Sequence, residues 1–186
     1  IVNHKLNKLD RNIKDAILKA CDEVIDGDYD DQFIVDIFQT GSGTSSNMNI
    51  NEVLSNRSNE ILGYSLGEKS PVHPNDHINL GQSSNDTFPS AVNISISLDI
   101  KENLLPVLDE LLETLKNKSN EFSGIIKIGR THLQDATPIT LGQEFSGYTQ
   151  MIQNSIDKIE DSLKYVHHLA QGGTAVGTGI NTHPDF

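Results

Sequence analysis

The chain has 186 residues and a mass of 20.4 kDa, with 35% hydrophobic and 22% charged residues, a composition that folds around a core instead of staying disordered. Fourteen Lys and Arg stand against 26 Asp and Glu, and the resulting net charge of −12 argues against nucleic acid as the main partner, because phosphate neutralisation needs clustered cations. The single cysteine, Cys21, excludes an internal disulfide framework and a multi-cysteine zinc site, and no apolar run approaches the ~18 residues of a membrane-spanning helix.

Ile1 runs straight into a polar helical pattern with neither an initiator Met nor a secretory signal, so the chain reads as a piece of something longer. Leu6, Leu9, Ile13, Ile17, Ala20 and Val24 recur at steps of three and four and predict a helix that Gly27-Asp28 ends. Phe33 to Phe38 alternate loosely, as a short strand or a buried turn would. Gly41 to Asn51 is small, polar and almost uncharged, and Val53 to Leu62 is helical again. Two prolines, three Asn and two His without periodicity make 70–85 a loop.

An apolar stripe at Val92, Ile96, Ile100, Leu104, Leu108, Leu111 and Leu115 predicts a long helix from about Thr87 to Phe122, kinked at Pro106. The apolar run Ile125 to Ile128 is too short to classify. A second long helix starts at Leu141, where Thr140 and Gln143 have capping-box spacing, and carries Phe145, Ile152, Ile156, Ile159, Leu163 and Val166 towards a stop at Gly172-Gly173. Helices of this length need packing partners beyond so short a chain. The fold class is mainly α.

Four stretches depart from ordinary helical surface. Gly41-Ser42-Gly43-Thr44-Ser45-Ser46-Asn47 offers backbone amides and hydroxyls to an anion, without the Lys of a phosphate-binding loop; the alternative is a flexible linker. His73-Pro74-Asn75-Asp76-His77 places two His four apart, but Pro74 and the Asn favour a hydrogen-bonded turn over a metal site. Gln82-Ser83-Ser84-Asn85-Asp86 is N-cap chemistry before a long helix, where spare hydroxyls suit a carboxylate. Gly129-Arg130-Thr131-His132-Leu133-Gln134-Asp135 contains His132, either a general acid or base or a structural hydrogen-bonder. The pair His167-His168 reads as solvated surface on the second long helix, and Gly172-Gly173-Thr174-Ala175-Val176-Gly177-Thr178-Gly179 as tight backbone packing.

Taken in order, these stretches, with His77-Ile78-Asn79, Thr87-Phe88-Pro89 and Leu141-Gly142-Gln143-Glu144-Phe145 continuing them, resemble the class II fumarase branch of the fumarase/aspartase superfamily over essentially the whole chain. Similar aspartases carry Gln in place of His132 and Thr in place of Ser84. The resemblance implies reversible anti addition of water to fumarate, giving L-malate, without a metal or organic cofactor. It also implies a mainly α fold in which residues 1–81 belong to an N-terminal domain and 82–186 begin a long central bundle that joins four copies into a homotetramer. Active sites in that family combine segments of three subunits, and the compartment implied is the cytoplasm or the mitochondrial matrix.

Residue by residue, the resemblance makes Ser42, Gly43, Thr44, Ser83, Ser84, Asn85 and Thr131 substrate-binding, as donors or close contacts to the carboxylates of a small dicarboxylate. It makes His132 the catalytic group that relays a proton to or from water, oriented by a Glu supplied from elsewhere. His73, Pro74, Asn75 and Asp76 resemble a second anion site. The family's Gly-Ser-Ser-x-x-Pro-x-Lys-x-Asn loop is absent from these 186 residues, which implies that the fragment is inactive alone. Competing expectations are an aspartate ammonia-lyase, another lyase of the superfamily, and a non-catalytic helical assembly module.

Overall fold

A computed structural model describes residues 1–38 and 41–186. The chain is mainly α, with helices α1 (Val2–Lys5), α2 (Arg11–Ile25), α3 (Thr44–Ile61), α4 (Ser84–Asp99), α5 (Leu105–Glu121) and α6 (Leu141–Val166), and one antiparallel hairpin of strands β1 (Ile126–Thr131) and β2 (Gln134–Thr140). It divides into two compact units, Ile1–Val92 with Leu169–Phe186, and Asn93–His168.

In the first unit the helix predicted from Leu6 is broken. Asn7 adopts a left-handed φ of 56°, and the His4 ring donates from Nδ1 to the Leu9 carbonyl at 2.8 Å, so the chain turns before α2 begins. α2 buries Ala16 and Ala20, and its Glu23 receives two bonds from Arg57 of α3, Nε at 2.5 Å and Nη2 at 3.0 Å. That fork fixes the helix pair geometrically.

α3 starts at Thr44, nine residues before the apolar pattern that predicted it, because its buried face is made largely of amides and hydroxyls: Asn47, Asn51, Ser55, Ser58 and Asn59, with Leu54. Asn59 closes a two-bond ring on Val72, accepting from its N–H at 2.8 Å and donating to its carbonyl at 3.0 Å, and Ser55 donates to the same carbonyl at 2.7 Å. Asn47 and Asn51 each donate to Asn79 Oδ1 at 3.2 Å. The 70–85 segment is thus bonded along α3, which gives Asn47, Asn51, Ser55 and Asn59 their partners. Residues 33–38 form neither strand nor helix beyond the short 3₁₀ turn Asp30–Gln32 that precedes them.

In the second unit a π-helical turn, Ile100–Leu104, interrupts the predicted single helix and Pro106 follows at the start of α5. Pro106 has no N–H for the preceding turn, and the wider π turn takes up its ring. The run left unclassified at Ile125 to Ile128 enters β1, pairing Ile126 with Thr140 and Ile128 with Pro138. α6 opens with the expected reciprocal capping box, Thr140 with Gln143. A Cβ on Gly142 would lie 2.4 Å from the Ser119 carbonyl, so only glycine lets α6 start against the end of α5. Ser119 Oγ donates to the Gly142 carbonyl at 2.8 Å, and Phe122 packs edge-on against Phe145 at 5.2 Å. α6 ends at Val166, short of Gly172-Gly173, with Asn93 donating to the His168 carbonyl at 3.2 Å. His167 and His168 therefore lie past the helix and not on it.

Candidate active site

Two helix starts meet in the first unit. Gly43 precedes α3 at a left-handed φ of 66°, and a Cβ there would fall 2.2 Å from the Phe88 ring of α4. Glycine is required for both reasons, conformation and space. With Phe88 seated on Gly43, Thr44 at the first turn of α3 comes within hydroxyl range of Ser84 at the first turn of α4: the Oγ1–Oγ distance is 3.1 Å, and Ser42 Oγ lies 3.2 Å from Thr44 Oγ1. Three hydroxyls from two predicted stretches 40 residues apart form one cluster, and both helix dipoles direct positive potential there. Rotatable O–H groups at paired helix N-termini suit a carboxylate that arrives with its own negative charge.

Ser83 acts as the cap of α4: its carbonyl accepts from Thr87 N–H at 3.0 Å and its Oγ from Asn85 N–H at 3.2 Å. Asn85 is exposed and spends one of its two side-chain N–H groups on the Ala175 carbonyl at 2.8 Å, tying α4 to the Gly-rich segment. Beneath them lies Asp86, 1% exposed. Its Oδ1 accepts from Ser83 N–H at 2.8 Å and shares the Thr87 hydroxyl, 3.3 Å away, with Gln82 Oε1 at 3.0 Å, and its Oδ2 accepts from Gly172 N–H at 3.1 Å and Thr174 N–H at 2.8 Å. Burial opposes its charge, but the hydrogen bonds from Ser83, Thr174, Gly172 and Thr87 outweigh it and hold the carboxyl below its ordinary range. Asp86 was read from the sequence only as part of a capping segment. The signal was present, since Ser83-x-x-Asp86 has capping-box spacing.

The His73 segment forms a π-helical turn, Pro74–Ile78, with Pro74 at its first position. His73 N–H donates to His77 Nδ1 at 2.8 Å, and His73 Nδ1 accepts from the N–H groups of Asn75 and Asp76 at 3.2 and 3.3 Å. Asp76 Oδ2 also approaches the same ring nitrogen, at 3.4 Å. These two amides are occupied by the ring that caps them, and the turn joins α3 through the neighbouring Asn79. The segment forms the expected hydrogen-bonded turn. Among the described residues no cluster of three or more His, Cys, Asp or Glu could hold a metal ion.

Thr131 and His132 belong to the second unit, at the tip of the hairpin. Thr131 pairs with Gln134, leaving His132 and Leu133 as a two-residue loop at φ 50° and 62°. Turns of this kind favour Asn and Gly, and each non-glycine residue in the left-handed region costs about 1–2 kcal/mol. Both side chains are exposed, and no hydrogen bond to the His132 ring is found among the described residues. Lys127 and Glu144, 2.6 Å apart, brace the hairpin against α6.

The lyase family matches residues 2–186 of the chain. Over 186 residues the chain is 57% identical to the class II fumarate hydratase of Campylobacter jejuni, covering all of this chain and 40% of that protein. It is 59% identical over 186 residues to the mitochondrial fumarate hydratase of Saccharomyces cerevisiae, covering all of this chain and 38% of that protein. The solved structure of recombinant class II fumarase from Schistosoma mansoni superimposes with a TM-score of 0.92 at 52% identity, over 98% of this chain and 38% of that one. The chain spans about two fifths of the length of the curated relatives it matches. The resemblance carried by the ordered motifs therefore extends along the whole sequence and into the backbone, and the chain belongs to the lyase family.

Proposed function

We propose that the protein carrying this chain is a fumarate hydratase that interconverts fumarate and L-malate. The observation that supports this most is the hydroxyl cluster Ser42, Thr44 and Ser84 at the paired starts of α3 and α4. Neutral donors held in place by two helices bind a dianion in the ground state, and bind it more strongly when a second charge develops on one carboxylate after the C3 proton leaves. In this reading Ser83 and Asn85 are further donors of the first unit, Thr131 is a substrate contact offered by the second unit, and Gly43 lets the first-unit cluster assemble.

His132 relays the proton to the departing hydroxyl of malate, or from the attacking water in the reverse direction. Two residues held at positive φ in a loop that prefers Asn and Gly support this role, because such cost persists where the side chain serves a purpose. His73, Pro74, Asn75 and Asp76 form the second anion site of this proposal, with the free edge of the His73 ring as its donor. The start of α4 at Ser84 supports dividing the whole protein into a domain over 1–81 and a central bundle beginning at 82.

The exposed apolar residues of α4 to α6 support a homotetramer, in which other copies cover them. No helix among the described residues is long and apolar enough to cross a membrane. The relatives named above are bacterial and mitochondrial, which supports the cytoplasm or the mitochondrial matrix as the compartment.

The test is a parallel assay of the full-length protein on L-malate and L-aspartate, following fumarate by its ultraviolet absorbance. Turnover of malate alone upholds the proposal. Turnover of aspartate would make it an ammonia-lyase, and turnover of neither would overturn both readings. The isolated 186 residues, which lack the family's Ser-Ser loop, should be inactive.

A further inference from the structure

We infer that Asp86 is a positioning residue: its buried carboxylate clamps the start of α4 to the Gly172–Thr174 turn and so sets the placement of the Ser83, Ser84 and Asn85 donors. The inference rests on the fumarate hydratase reading for its kinetic consequence, though not for its geometry.

The geometry is a cradle of three backbone amides. One oxygen faces the α4 side, taking Ser83 N–H, with Thr87 Oγ1 at 3.3 Å sharing its one proton between this oxygen and the nearer Gln82 Oε1 at 3.0 Å, and the other faces the loop, taking Gly172 N–H and Thr174 N–H. Charge-assisted bonds to backbone amides are about twice as strong as neutral ones. The loop needs such an anchor. Thr174 is buried and held at φ 56°, a conformation costly for a β-branched residue, and Gly172 sits at φ 97°. With that turn fixed, the Ala175 carbonyl stands where Asn85 Nδ2 donates to it at 2.8 Å. One carboxylate therefore orients Ser83 directly and Asn85 through the loop, while itself lying beneath the donor residues and out of contact with solvent.

An amide cannot replace it. Asn at this position has one acceptor oxygen, so its NH₂ group would face either the two loop amides or Ser83 N–H, donor against donor. The experiment compares wild type with Asp86→Asn in the full-length protein, measuring KM and kcat for L-malate, binding of succinate as an unreactive dicarboxylate, and hydrogen exchange of the amides in 172–179. Positioning predicts KM raised about tenfold with kcat within about threefold, succinate affinity lowered in parallel, and faster exchange in that segment.

Unchanged KM, succinate affinity and exchange would overturn the inference. A fall in kcat alone, with KM and exchange unaltered, would also overturn it, because that pattern belongs to a group touching the reacting atoms. Should wild type turn over no substrate, the fumarate hydratase reading fails, and succinate affinity and amide exchange decide the clamp by themselves. If Asp86→Asn does not fold, Thr87→Val removes the hydroxyl that Asp86 shares with Gln82 while Thr87→Ser keeps it, and the valine variant alone should produce the same pattern at about two- to threefold; no change in KM or exchange with Thr87→Val would count against the clamp.

Discussion

Helices α3 and α6 meet their surroundings in opposite ways. α3 buries Asn47, Asn51, Ser55, Ser58 and Asn59 and satisfies them within its own unit, through Val72, Asn79 and, for Ser58, the Leu54 carbonyl of α3 itself. α6 buries only Gly142, Ile156 and Leu163, and leaves Tyr148, Met151 and Tyr165 exposed. A polar face is directional: each bond fixes an orientation, so a loop held by such a face keeps the register that the neighbouring donors need. An apolar face is tolerant of orientation and gains only from area removed from water, so it can wait for another copy. In this chain the substrate-binding candidates of the first unit stand beside the directional surface, and the assembly candidates lie on the tolerant one.

The contrast can be broken most strongly at the hairpin. In the full-length protein His132→Asn should cut malate turnover by about 10²–10⁴-fold without lowering thermal stability, because no hydrogen bond to the ring is found among the described residues and Asn suits the left-handed turn. A rate near that of wild type would remove His132 from the mechanism. The next effect belongs to the polar face: Asn59→Ala leaves the buried Val72 N–H without an acceptor and should lower unfolding free energy by about 3 kcal/mol in urea titration. A loss below about 1 kcal/mol would mean that the amide ring around Val72 is dispensable.

Gly43→Ala sharpens the link between fold and site. The added methyl meets the Phe88 ring at a left-handed φ, so a loss of about 2 kcal/mol is expected together with weaker malate binding. Retained affinity would separate the Phe88 contact from the donor cluster. On the apolar side, Met151→Glu, at a residue 65% exposed, should change the stability of its own unit by less than about 0.5 kcal/mol yet shift the full-length protein from the proposed tetramer to smaller species in sedimentation. A tetramer that tolerates the charge would exclude that part of α6 from the interface.

The smallest effect is in acid. The Asp86 carboxyl titrates below its ordinary 3.8 when folded, so the stability it confers is complete above that pH and drains away as pH falls through the lower folded value. Asp86→Asn should flatten this part of the pH–stability curve, and an unaltered slope would show that other carboxylates govern acid unfolding.

Local patterns in the sequence carried much of this description. The three-four apolar spacing located α2, α5 and α6, the Thr140-Gln143 pair located the capping box, and the ordered motifs pointed to the lyase family before any fold was in view. They failed where the stabilising groups were polar. The beginning of α3 was missed because its buried residues are Asn and Ser, which hydropathy assigns to loops. The hairpin was missed because Gln134 to Thr140 has no strict alternation and contains Pro138, and because His-Leu is an uncommon loop for two strands.

Sequence alone determined where the apolar helices run, which residues offer hydroxyls, amides or an imidazole, and to which family they belong, because those properties follow from neighbours a few positions apart. Only the tertiary structure decided that Ser42, Thr44 and Ser84 form one cluster, and that Asp86 reaches Thr174 across 88 positions. Contacts of that range depend on Phe88 settling over Gly43 and on a carboxylate being taken out of water together with all of its donors. No local pattern encodes such a balance of packing and desolvation, which is set when the chain closes on itself.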